Sequence, residues 1–169
     1  MIATAPCAPA RACDHGGVRI PTILMAMTLA MSGCASAGED APDSSAKVRF
    51  SSTDATLSVS VADSDDERSE GLMGVEDLAP DHGMAFVFDE PTTSSFWMKD
   101  TLIPLSIAFV DGERVVAIEE MVPCASDPCR TWDAGGAEYT VAIEANPRWF
   151  VEHGVGIGDQ ATLDEVGDG

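Results

Sequence analysis

The residues best equipped for chemistry fall in one short run, Trp97-Met98-Lys99-Asp100-Thr101. It offers an aromatic face, an ammonium charge, a carboxylate and a hydroxyl, a set that could hold a small polar or anionic ligand. Read as a strand over 95–99, the run puts Trp97 and Lys99 on one face and Phe96 and Met98 on the other. Pro104 then fixes the exit. Glu144, at the end of an apolar stretch, could face the same cleft or simply cap the following helix. The plainer alternative makes Trp97 core, pairs Lys99 with a surface acid and leaves Asp100-Thr101 to turn chemistry.

Catalysis has thinner support. No His stands with a Ser or Cys nucleophile, and His82 and His153 fall in expected loops beside glycine. Proton transfer by Lys99 with Asp100 or Glu144 would require Lys99 to be buried. No catalytic residue and no cofactor is assigned.

Metal handling is a third possibility. Met73, Met84 and Met98, with His82 and Trp97, form a soft set that could hold Cu(I). Methionine is also a general core filler, and all three flank apolar residues. Asp63, Asp65, Asp66 and Glu67 are dense in carboxylates, but they lack the glycine and spacing of a calcium loop. They read as a solvated acidic face, and no metal ligand is assigned.

The cysteines bear on location. Arg11 and Arg19 precede an uncharged apolar run over 20–33, short for a bilayer span but of the length of a secretory signal core. The run ends Met31-Ser32-Gly33-Cys34, which resembles the lipobox of bacterial lipoproteins, with Met31 where Leu is usual. That resemblance implies cleavage before Cys34 and a lipid on its thiol, and two or more acyl chains give stable anchoring. The alternatives are a signal without lipid or a buried helix. Cys7, Cys13 and His15 lie before the cleavage point and are assigned nothing. Cys124 and Cys129 remain, flanking a Pro-containing turn and close enough for a disulfide in an oxidising compartment. Half a metal site is the competitor, but no second pair completes four ligands.

Charge narrows the partners. The 169 residues carry a formal net charge of −20 and no basic cluster. Nucleic acid is therefore not expected as a partner, because its binding rests on cations that neutralise phosphates. The acidity suits solubility or a saline exterior; collecting cations or basic partners is the functional alternative.

These groups need elements to position them. Residues 35–46 have a tether's composition. Leu57, Val59 and Val61 alternate as in a half-buried strand, and Ser64 and Glu67 are spaced as a capping box for a short helix. Met84 to Phe88 reads as a buried strand. Leu105, Ile107 and Phe109, the Asp111-Gly112 turn and Val115 to Ile118 read as a hairpin. Tyr139, Val141 and Ile143 predict a further strand, Pro147 a helix start, and Ala161 to Leu163 a last strand. No βαβ alternation suggests a parallel sheet. The expected fold is β-rich α+β: a compact domain of six or seven short, mostly antiparallel strands, barrel-like or curled, with one or two short helices.

Three stretches carry a family resemblance. They are Glu67-Arg68-Ser69-Glu70-Gly71-Leu72-Met73 with Gly83 to Phe88, Phe96-Trp97-Met98-Lys99-Asp100-Thr101-Leu102-Ile103-Pro104-Leu105, and Val141-Ala142-Ile143-Glu144 with Gly154 to Asp159. Together they resemble the domain of unknown function 192 family, small bacterial and archaeal domains, many of them exported. The likeness covers about residues 57–163 and implies a compact β-rich fold with no established activity. Asp100 stands where the family usually has Asn, Ser106 where it often has Asp, and Arg148 where Gly is common.

The expected organisation is a lipoprotein signal over 1–33, a tether over 34–46, the family domain over 47–164 and an acidic tail over 165–169. The expected function is a cell-envelope binding or accessory domain, exported and held to a membrane by its lipid, with an unidentified small-molecule or protein partner.

Overall fold

The computed structural model describes residues 46–165, with only the backbone of Glu165, as nine strands and two short helices. The apolar run, Cys34 with the lipobox-like residues before it, Cys7, Cys13, His15, the residues before Ala46 expected as a tether and residues 166–169 of the expected tail lie outside the described residues, whereas Glu165, also assigned to the tail, belongs to the last strand.

In chain order the elements are β1 (Ala46–Phe50), β2 (Ala55–Ala62), α1 (Asp65–Glu70), β3 (His82–Thr92) and β4 (Phe96–Trp97). They continue with β5 (Leu105–Asp111), β6 (Arg114–Met121), β7 (Thr131–Trp132), β8 (Tyr139–Ala145), α2 (Trp149–Glu152) and β9 (Ala161–Glu165). Seven strands form one curled sheet in the order β6-β5-β8-β3-β2-β1-β9, and β4 pairs with β7 in a two-stranded sheet of its own. The β-rich α+β expectation holds.

Period-two patterning sorts the side chains onto two faces. Leu57, Val59, Ile143, Ala85, Ala108 and Val110 pack in one cluster with Val48, Phe50 and Phe150. Met84, Phe86, Ile107, Phe109 and Ala142 pack in a second, with Leu72, Met98, Trp132 and Tyr139. Both faces are thus covered. That is why β5 is buried from Leu105 to Val110 rather than half-buried.

The hairpin of β5 and β6 turns at Gly112 and Glu113, between the paired Asp111 and Arg114. Register slips between Phe109 and Val110, which face Ala117 and Val115, so Val116 is the extra residue of a bulge. The Ser64–Glu67 capping box is present at α1. Gly71 ends that helix at φ 51, and a Cβ there would stand 3.3 Å from the Phe86 ring. The backbone turn favours glycine, and a Cβ would also press on the ring.

Several expectations need correction. Ala46, assigned to the tether, begins β1, whose Ala46, Val48 and Phe50 are buried between exposed Lys47 and Arg49. β2 and β3 pair in parallel, against the expectation of no βαβ unit. The crossover was invisible because α1 has only six residues and buries none of them, leaving no apolar helical stripe to read. The strand expected over 95–99 shrinks to Phe96–Trp97, because Lys99 and Asp100 turn the chain. Pro147 does not open a helix: α2 starts at Trp149, with Arg148 at φ 65 as its N-cap. Its backbone N–H donates to the buried Ser106 hydroxyl at 2.9 Å and to Glu120 at 3.1 Å, so that turn is set by β5 and β6. His82 is the first residue of β3 and not a loop residue.

Candidate functional site

α1, β3 and the strap from Ser94 to Trp97 enclose a groove of about 260 Å³. Its acidic helix segment holds one cation, Arg68. The guanidinium donates to the Val87 carbonyl at 2.8 Å and to the Asp63 carbonyl, and pairs with Asp65 at 2.6 Å. It lies 5.2 Å from the centre of the Phe88 ring. Arg68 is therefore fixed and largely neutralised within the protein.

The strap is held by aromatic packing and one buried hydroxyl. Phe96 meets Phe86 edge-on at 5.0 Å and Phe109 at 5.8 Å. Tyr139 donates its hydroxyl to the Ser94 carbonyl at 2.7 Å. Burial, followed by the charge of Asp133, pushes the Tyr139 phenol up to about 12, so it keeps this proton. Trp97 pairs through its backbone with Thr131 and, as a residue 52% exposed, stands on the groove wall. Ser69, Ser94 and Ser95 add hydroxyls to that wall.

The other members of the Trp97–Thr101 run are distributed differently. Lys99 is exposed, with its ammonium 5.4 Å from the centre of the Trp97 ring. With Asp100 it lines a second depression, of about 200 Å³, against the loop from Cys124 to Cys129. Asp100 sits in the left-handed region at φ 55 and accepts from the Gly74 backbone N–H at 2.9 Å. Thr101 is buried and donates its hydroxyl to the Lys99 carbonyl at 3.4 Å. Trp97 and Lys99 are in contact; Asp100 and Thr101 build the turn.

Glu144 stands apart, lining neither depression. On β8 it faces Met84 of β3 and Ile107 of β5, and is 4% exposed. Burial alone pushes its carboxyl up to about 8, so it is largely protonated at neutral pH.

Cys124 and Cys129 are joined in a disulfide with Cα atoms 5.5 Å apart. Asp127 offers an oxygen beside the two sulfurs, the one grouping of potential metal ligands among the described His, Cys, Asp and Glu residues. With the sulfurs bonded to each other, that grouping has no thiolate to offer. The carboxylates at 63, 65, 66 and 67 are exposed; Glu67 is occupied by Ser64, whose hydroxyl and backbone bonds hold its carboxyl below the usual range. Of the methionines, Met84 and Met98 are buried in the second cluster, and Met73 is outside both clusters.

Sequence reasoning passed over Arg68, Phe88, Ser94 and Ser95. One signal was available: Arg68 is the sole basic residue between Asp63 and Glu70.

The family model DUF192, "Uncharacterized ACR", matches residues 46–163. Among solved structures, a Sinorhizobium meliloti 1021 protein described as a candidate transcription regulator is 28% identical, with a TM-score of 0.61. The match covers 73% of this chain and 97% of that one. A protein of unknown function from Novosphingobium aromaticivorans DSM 12444 is 27% identical, with a TM-score of 0.62, over 69% of this chain and 82% of that one. No curated protein matches.

Proposed function

This chain belongs to the DUF192 family, and from that premise we propose that it is a lipid-anchored binding domain of the bacterial cell envelope. In this reading the groove beside α1 takes a small, uncharged, polyhydroxylated ligand of sugar type. The observation that carries the reading is the half-exposed Trp97 on a groove wall that also carries serine hydroxyls. An aromatic face flanked by hydroxyls suits a ring that is apolar on its face and polar at its edge. The groove's charges, Arg68 and Asp65, are already paired, which favours a neutral ligand over an anion.

The cysteines bear on location. The Cys124–Cys129 bond fits an oxidising compartment, and leaves Cys34 of the lipobox-like sequence available for lipid. The regulator description of the S. meliloti protein is not carried over, since a net charge of −20 opposes contact with phosphates. Acid/base catalysis lacks a comparable observation: Lys99 is exposed, and Glu144 lines neither depression.

Titration of the full-length protein with neutral mono- and disaccharides, uronic acids and inorganic phosphate, followed by tryptophan fluorescence, tests the ligand. Saturable quenching by a neutral sugar, lost in Trp97→Ala and weakened in Arg68→Ala, is expected. A flat response across the panel, or a hit indifferent to Trp97→Ala, would end the proposal. Palmitate labelling tests the anchor; label retained in Cys34→Ser would refute it.

A further inference from the structure

Among the described residues the curled sheet closes on itself at one corner. Arg114 bridges to Gln160, the Val115 N–H donates to the Asp159 carbonyl at 2.9 Å, and the Ala161 N–H donates to the Glu113 carbonyl at 2.8 Å. Beyond that corner the first cluster leaves a gap of about 220 Å³ between β9 on one side and β5 and β8 on the other. Val48, Val110, Val141, Ile143 and Leu163 line it, all members of that cluster or packed against it. The lining residues exposed to solvent are Gly112 and Glu113, which places the mouth at the β5–β6 turn. Glu113 is the one charged residue on its wall.

Well-packed interiors leave few voids larger than a water molecule, and a dry apolar cavity of about 150 Å³ suffices to bind benzene. This gap is open at its mouth, and its walls are mainly aliphatic, with Thr162 and one carboxylate, Glu113, as the polar side chains, a lining with the chemistry of a receptor for a short hydrocarbon chain. The carboxylate sets the head group: it attracts a cation, tolerates a neutral hydroxyl and repels an anion, and the protein's net charge of −20 acts in the same sense. We propose that this open seam is a second ligand site, separate from the Trp97 groove, which takes an unbranched aliphatic chain of roughly six carbons with an ammonium head group at Glu113.

The test titrates hexylammonium, 1-hexanol and hexanoate into the full-length protein while following the methyl resonances of valine, isoleucine and leucine. Saturable shifts at Val48, Val110, Val141, Ile143 and Leu163 are expected, with hexylammonium at least tenfold tighter than hexanoate and hexanol between them. Glu113→Gln should bring hexylammonium to within about twofold of hexanol. Val141→Phe, which fills the gap from a half-buried position, should abolish binding of all three; Leu163→Phe serves if that variant does not fold. Absence of saturable shifts, a preference for hexanoate, or binding that survives the filled seam would each overturn the proposal.

Discussion

Gly83 of β3 runs so close to β8 that a Cβ added to it would stand 2.1 Å from the Glu144 carbonyl oxygen and 3.0 Å from the Leu57 side chain. No real Cβ occupies such a position, and the obstructing atom is backbone, which cannot swing aside. Gly83→Ala must therefore push β3 off β8. We expect a loss of about 2–3 kcal/mol, the upper range for overpacking, read from the urea midpoint. An unchanged midpoint would mean that the two strands are not so tightly apposed.

The Glu144 carboxyl predicts how stability depends on pH. Its folded-state pKa of about 8 lies above the ordinary 4.5, so between those values the folded form holds a proton that the unfolded form has released. The contribution is complete below about pH 4.5, falls as pH rises and levels off above about 8. Unfolding free energy should drop by up to about 1.4 kcal/mol per pH unit from this group within the window. In Glu144→Gln that component of the slope should vanish. Denaturant titrations at pH 5, 6, 7 and 8 measure it, and identical slopes in the two proteins would contradict the assignment.

Among the described residues three side chains other than glycine hold turns at positive φ, Asp54, Asp100 and Arg148, and the last two carry opposite expectations. Arg148 at φ 65 carries strain, and its ion pair with Glu152 is exposed at both ends and worth little. Arg148→Gly should raise stability by about 0.5–1 kcal/mol. Asp100 at φ 55 has a side chain that tolerates this region, so Asp100→Asn should be neutral and Asp100→Val should cost about 1–2 kcal/mol. Thermal melting of the three variants would decide; destabilisation by Arg148→Gly would show that its side chain contributes more than the strain costs.

Reduction of the Cys124–Cys129 bond should be felt locally. The loop it closes is short, so the chain-entropy contribution is roughly 2 kcal/mol. The Cys124 N–H donates to the Met98 carbonyl at 3.3 Å, linking this loop to the turn that carries Lys99. Dithiothreitol, or the double change Cys124→Ser with Cys129→Ser, should lower the melting temperature and increase amide exchange over residues 98–101. Exchange confined to 124–129 would show that the two loops are not coupled.

Features built from neighbours in the chain were legible in advance. The Ser64–Glu67 box and the β5–β6 hairpin each depend on contacts within a few residues, where spacing maps directly onto geometry, whereas the half-buried alternation expected of β2 stops at Val59, because Ser60 and Ala62 are buried as well. The disulfide belongs with them, since its two cysteines flank one turn. The family pattern too is a matter of linear order, and it matches residues 46–163.

What depended on the tertiary structure is the meeting of distant segments. Arg68 reaches Phe88 and Trp97 joins their groove because a parallel crossover lays β2 beside β3, and α1, which buries nothing, leaves no periodic trace of that path. Lys99 and Glu144 looked like partners by residue type; a turn exposes the first, and the sheet buries the second between Met84 and Ile107. Trp97, the residue that first suggested a site, keeps its place on a groove wall, but its neighbours there are Arg68, Phe88 and the serines. Spacing along a chain specifies turns and faces. Which faces come together is decided by the strand order, an outcome of burying two apolar clusters at once.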